Sequence, residues 1–129
     1  MMDLVQFSEK MRRAANKING SMLDAVTDYA QTLEGEIKAR QGHEPAPNVI
    51  TGDYQGSWSH NATQAGETVE AVVGTNKPQA RRLEFGFVGP DRLGRVYHQQ
   101  PRPHVAPAIE ATTSAWGKTW EGVVVDALK

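Results

Sequence analysis

Three prolines fall within seven residues of Pro101-Arg102-Pro103-His104-Val105-Ala106-Pro107-Ala108-Ile109-Glu110. Each proline fixes φ, removes an N–H donor and pushes the preceding residue towards an extended conformation, so this stretch is stiff without being helix or strand. Pro107 suits the first position of a helix, where its missing donor costs nothing. The spacing beyond it predicts a final helix from about Pro107 to Ala127, with Ile109, Thr113, Trp116, Trp120 and Val124 on one stripe and Val123 and Leu128 flanking. Whatever the chain folds into, the direction of this helix is set by a rigid lead-in.

At 129 residues the chain fits one domain with a single modest core. Apolar residues at 39% and charged residues at 22% suit a globular protein and speak against disorder. No apolar run approaches the roughly 20 residues that span a bilayer, and the acid at Asp3 argues against a secretory leader. The absence of cysteine excludes disulfides, thiolate metal sites and a cysteine nucleophile, and suits a reducing compartment. Net charge is -1, unevenly spread: residues 1–76 carry six basic and ten acidic side chains, 77–104 six and two, and 105–129 two and three. A local basic strip of this kind serves a solvated loop, a subunit contact or a contact with a nucleic-acid backbone.

Helical periodicity opens the chain. Leu4, Phe7, Met11, Ala14, Ala15 and Ile18 form one stripe; Met22, Val26, Tyr29, Leu33 and Ile37 form a second, edged by Ala25 and Ala30. Asn19-Gly20 lies between them as a break or a kink, with Ser21 and Asp24 resembling a capping box that restarts the helix. After Gln41-Gly42 comes a proline-rich linker at residues 43–56. The period then changes to two, and Gln64-Ala65-Gly66-Glu67 joins two arms of an antiparallel hairpin, with Trp58, His60 and Ala62 on one face. Residues 78–86 read as a helical turn opened by Pro78 or as extended chain, the helical turn being favoured. A second, protruding hairpin pairs residues 85–88 with 95–98 across Gly89-Pro90-Asp91-Arg92-Leu93-Gly94. The expected fold is α+β: a small antiparallel sheet with a protruding hairpin, packed by long N-terminal and C-terminal helices.

The short motifs form an ordered set. Thr51-Gly52-Asp53-Tyr54-Gln55-Gly56-Ser57 precedes the first strand, Val72-Val73-Gly74-Thr75 ends the hairpin, Leu83-Glu84-Phe85-Gly86 follows, and Pro101-Arg102-Pro103 with Pro107-Ala108-Ile109-Glu110 closes the series. Over about residues 48–115 this succession resembles the "gp ten-like" tail-component family of long-tailed bacteriophages, the small neck and tail-completion proteins. The family often has a bulky apolar pair where this chain has His104-Val105. The resemblance implies a virion structural protein, assembled in the host cytoplasm, that forms a ring at the head-to-tail junction or completes the tail before joining. Its implied partners are copies of itself, head connector or portal-side proteins, and tail tube or terminator proteins. DNA would pass through the channel without sequence recognition. No membrane, cofactor or catalysis is implied.

Candidate interface residues are Arg81, Arg82, Arg92, Arg95 and Arg102, whose guanidinium groups bind carboxylates or phosphates bidentately. Glu84 and Phe85 join them, Glu84 as a partner-facing acid or as an exposed acid without a fixed partner. Thr51, Gly52, Gly74, Gly86, Pro101, Pro103 and Pro107 are expected to shape the backbone. His43, His60, His98 and His104 show no metal-ligand spacing on one element, although His98 and His104 are near enough in sequence to meet. The chain has no Gly-x-Ser-x-Gly elbow, phosphate loop or dinucleotide fingerprint, so no catalytic residue is assigned. Two alternatives to the neck role are a tail-terminator ring and a small nucleic-acid-binding module using residues 77–102.

Overall fold

The computed structural model describes residues 3–49, 51–90 and 93–129, with Tyr97 described for its backbone only. The element order is α1 (Leu4–Arg40), α2 (Asp53–Gly56), β1 (Ser59–Ala65), β2 (Thr68–Gly74), α3 (Ala80–Phe85), β3 (Phe87–Pro90), β4 (Val96–Gln99) and α4 (Val105–Ala127). Two long helices pack with two-stranded antiparallel sheets in an α+β fold.

Asn19-Gly20 neither breaks α1 nor restarts it: 37 residues run as one helix. A mid-helix glycine costs about 1 kcal/mol against alanine, and burial of the stripe on both sides of it outweighs that. The capping box lies instead at the start. The Asp3 carboxylate accepts from the Gln6 N–H at 2.8 Å, and the Gln6 side chain accepts from the Asp3 N–H at 3.1 Å.

Helix α4 runs antiparallel to α1. Ile37 packs with Ala108, the Tyr29 hydroxyl bonds Thr112 Oγ1 at 3.1 Å, and Lys17 and Ser21 face Lys118 and Asp126 across a shallow groove. Small buried residues, Ala14, Ala25 and Ala30 on α1 with Ala108, Thr112 and Ala127 on α4, let the helices approach closely. This corrects the expected α4 stripe. Trp116, Trp120 and Val124 do turn partly inward, but Ile109 and Thr113 are exposed, and their neighbours Ala108 and Thr112 hold the close approach. Steric fit between helices overrides side-chain hydrophobicity there.

The start of α1 also departs from expectation. Leu4, Phe7 and Met11, read as core, are 84%, 54% and 38% exposed.

Strands β1 and β2 pair from Ser59↔Gly74 to Ala65↔Thr68, leaving Gly66 and Glu67 as a two-residue turn. The expected alternation holds: His60, Ala62, Val69, Ala71 and Val73 are half-buried while Asn61, Thr63, Glu70 and Val72 face outward. The hairpin lies along α1, with the Gln64 side chain donating to the Asn19 carbonyl at 3.1 Å and His60 Nδ1 standing 3.5 Å from Glu34. Strands β3 and β4 form the second hairpin, registered Phe87↔Gln99, Val88↔His98, Gly89↔Tyr97 and Pro90↔Val96. Both arms are thus shifted along the chain from expectation. Phe85 ends α3 rather than opening a strand, because Gly86 at φ +80° stops the helix between them. The loop residue Arg92 lies outside the described residues.

The core gathers where α1 ends and α4 begins. Ile37, Trp58 and Ala108 are buried together, with Leu33, Tyr54, Val73 and Val105 packed against them. Among the described residues no helix is long and apolar enough to cross a membrane.

Candidate functional site

Four segments far apart in sequence meet beside this core. The first supplies Tyr54. The linker expected over residues 43–56 closes into the single-turn helix α2 after Gly52, whose φ is +86°, so Thr51-Gly52 starts a helix rather than a strand. Thr51 Oγ1 accepts from the Asp53 N–H at 3.3 Å, and the Gln55 side chain donates to the Lys38 carbonyl at 2.8 Å, tying α2 to the end of α1.

From α2, the Tyr54 hydroxyl shares a 2.7 Å hydrogen bond with His104 Nε2. His104 is fully buried, its ring edge-on to both Tyr54 and Trp58 at centroid distances of 5.6 and 5.9 Å. Its other nitrogen, Nδ1, donates to the Arg102 carbonyl at 2.8 Å. An aromatic ring with both nitrogens engaged therefore fills the position that precedes α4. Burial pushes the Tyr54 phenol up to about 12, the Glu84 charge adding in the same direction.

Glu84 arrives from α3 and corrects its expected role. Its Oε1 accepts from the N–H groups of His104 and Val105, each at 2.9 Å, and Oε2 accepts from Ala106 at 3.2 Å. These are the donors that a helix start leaves without intrahelical partners. The residue that follows is Pro107, which has no N–H. Pro107 thus sits at the third helical position of α4 rather than the first, and the whole first turn is satisfied by one carboxylate and one imino acid. Burial alone would push the Glu84 carboxyl up; the three backbone N–H bonds and the adjacent His104 ring outweigh it and hold it below the ordinary glutamate value. The side chain is 9% exposed, so Glu84 faces its own α4 and not a partner.

The remaining motif residues support this arrangement. The Arg102 N–H donates to the Leu83 carbonyl at 2.6 Å. At Gly86 a Cβ would lie 2.9 Å from the Gln99 carbonyl oxygen and 3.0 Å from the Pro101 ring, so glycine is required by space as well as by φ. Just past Gly74, Thr75 shares a hydroxyl–hydroxyl hydrogen bond with Ser57. Pro103 is half-buried beside the His104 anchor, and Pro101 is exposed at the hairpin base.

No family model matches the chain, and neither a curated protein nor a solved structure matches it.

The four described candidate arginines, Arg81, Arg82, Arg95 and Arg102, stand in different environments. Arg82 lies over the Phe87 ring, 3.8 Å from guanidinium carbon to centroid, a cation–π contact. Arg102 turns towards an open groove of about 720 Å³ that Lys77, Tyr54 and Leu83 also line. Its Nη1 is buried without a hydrogen-bond partner among the described residues and stands 4.0 Å from the exposed carboxylate of Glu44. Arg81 and Phe85 are exposed on α3, and Arg95 is exposed just before β4. His98 is exposed on the hairpin and does not meet buried His104. Among the described residues no group of three or more His, Asp or Glu could hold a metal.

Sequence reasoning missed Tyr54 and His104 as the centre of the network. They stand 50 positions apart, and no periodicity links them. Their only sequence signal was position: one lies inside the Thr51–Ser57 motif, the other between Pro103 and Pro107.

Proposed function

We propose that this chain is a structural subunit of a bacteriophage neck, forming a ring at the head-to-tail junction or completing the tail for joining, and working through matched protein surfaces without catalysis. One observation carries the reading. The motif blocks that resemble the tail-component family are scattered over residues 51–110, yet they converge: Tyr54 on His104, Glu84 on the first turn of α4, Arg102 on Leu83, Thr75 on Ser57. Motifs that serve one architectural purpose are expected to touch in this way. A body presenting an exposed hairpin and a helix held by a proline-stiffened lead-in also suits a ring subunit, since a heterologous contact closes only if every copy holds the same angle.

Use of the basic residues for nucleic acid receives less support. Arg82 lies over the Phe87 ring and Arg102 lines the groove, so the described arginines do not share one role.

The test is immunogold electron microscopy of virions of the encoding phage with an antibody against this chain. Label at the junction of head and tail supports the neck role. Absence from intact particles, with epitope access verified on opened ones, overturns it.

A further inference from the structure

The open groove of about 720 Å³ is lined by the loop that follows α1, by α2 and by the segment that leads into α3. Pro47, Val49, Pro78 and Leu83 give it apolar walls, and the amides of Gln79 and Gln99 add hydrogen-bonding groups. Its volume falls within the roughly 300–1,000 Å³ of ligand sites, which combine apolar surface with a few placed polar groups in the same way.

Two cations line it, Arg102 and Lys77, and both are half-buried. Lys77 makes no ion pair among the described residues. The Arg102 guanidinium makes no hydrogen bond among them either: Nη1 is buried without a partner, and the carboxylate of Glu44 stands 4.0 Å away. Buried donors are nearly always paired, and a charged one left unpaired is costly. The acid nearest at hand on α3 is already engaged, since Glu84 accepts from the N–H groups of His104, Val105 and Ala106.

Two carboxylates border the groove, and both are exposed: Asp53 on its wall, and Glu44, 85% exposed, beside Arg102. Water and salt screen an exposed acid, whereas a half-buried cation keeps more of its field. The sheltered part of the groove is therefore positive and its exposed margin negative, which suits one carboxylate set among apolar residues. A nucleic-acid backbone is charged at every phosphate and would meet Asp53 and Glu44 as well as the cations.

We propose that this groove binds a peptide segment of a protein partner through an aspartate or glutamate that pairs with Arg102, the flanking apolar residues lying against Pro47, Val49, Pro78 and Leu83. Arg102 supplies a bidentate fork, and Lys77 adds positive field in the same groove. Glu44 competes with the incoming carboxylate for the same guanidinium. This rests on the reading that the chain works through protein contacts, and it assigns the chemistry of one of them.

Selection followed by titration tests it. The full chain is used to select from a random peptide library, and an enriched peptide is synthesised and titrated by fluorescence anisotropy. The enriched sequences are expected to share an aspartate or glutamate beside apolar residues. Arg102→Gln and Lys77→Gln should each weaken binding about tenfold or more, and so should replacing the peptide's acid by its amide. Glu44→Gln should tighten binding, which loss of a merely structural ion pair would not do. Circular dichroism checks that each variant folds; should Arg102→Gln fail to, Lys77→Gln and the amide peptide carry the test. No enrichment, enrichment without an acid, binding unchanged by a folded Arg102→Gln or loosened by Glu44→Gln, or displacement of the peptide by a single-stranded thymidine oligonucleotide at lower concentration overturns the proposal. Neck label on virions with no groove-dependent peptide would overturn this site and leave the neck role standing; a groove-dependent peptide without label on virions would do the reverse.

Discussion

Oε1 of Glu84 lies 2.9 Å from the backbone nitrogen of Val105, so a side chain of α3 caps a helix that begins 21 residues later. Most helices are capped by the residue that precedes them. Here the preceding residue, His104, makes no side-chain cap of its own, and its ring is committed to Tyr54 and the Arg102 carbonyl. The cap is consequently a tertiary contact, and it ties α3 to α4.

Removing it should cost stability in a pH-dependent way. Glu84→Ala is expected to lower the unfolding free energy by about 1–2 kcal/mol, the range for loss of a helix cap, measured by urea denaturation at pH 7. The folded-state carboxyl lies below its ordinary value, so its contribution is fully present above the unfolded glutamate pKa of about 4.3. It is lost as pH falls through the lower, folded value. Glu84→Gln should flatten that acid limb; an unchanged limb would show that other carboxylates set it.

Tyr54→Phe should cost about 1–3 kcal/mol, because it leaves His104 Nε2 buried without its partner. The phenol titrates at about 12 in the folded protein against about 10 unfolded. Its contribution is therefore present below pH 10 and declines as pH rises towards 12. Ultraviolet difference titration should show a late tyrosine phase in the wild type that is missing from the variant.

Two glycines should respond oppositely to alanine. Gly86→Ala places a Cβ against the Gln99 carbonyl at positive φ and should destabilise by more than about 1 kcal/mol. Gly20→Ala, inside α1 with no atom within 4 Å of the new carbon, should stabilise by about 0.8–1.0 kcal/mol. Thermal melts of the pair make the comparison internal. A stabilising Gly86→Ala would mean that the tight base of the hairpin is dispensable.

Backbone hydrogen exchange should divide α1. Residues 4–13 are exposed but for half-buried Lys10 and should exchange faster than the stretch around Ala25, Ala30 and Ile37, which packs under α4 and the first hairpin. Uniform protection along all 37 residues in a verified monomer would contradict this.

The parts of the fold legible in the sequence were those governed by local period. The alternation from His60 to Val73 placed the first hairpin and its faces, and the spacing of Met22 to Ile37 placed the second half of α1. Asn19-Gly20 was ambiguous because propensity and burial oppose each other there, and only the partner helix decides. The α4 stripe was misread by one position because Ile109 is more hydrophobic than Ala108, while the close approach of α1 selects the smaller residue. Glu84 was legible as a special position but not as a cap, since nothing in the sequence tells which distant N–H groups a carboxylate will find.

The 2.6 Å bond from the Arg102 N–H to the Leu83 carbonyl has a consequence for how this protein can change. It joins the two ends of the second hairpin at its root, where Gly86 also nests against Pro101. The strands beyond that root form a cartridge, clipped at its base and largely independent of the core below. Its exposed face, at Val88 and Val96, can therefore be resurfaced while the body keeps its shape.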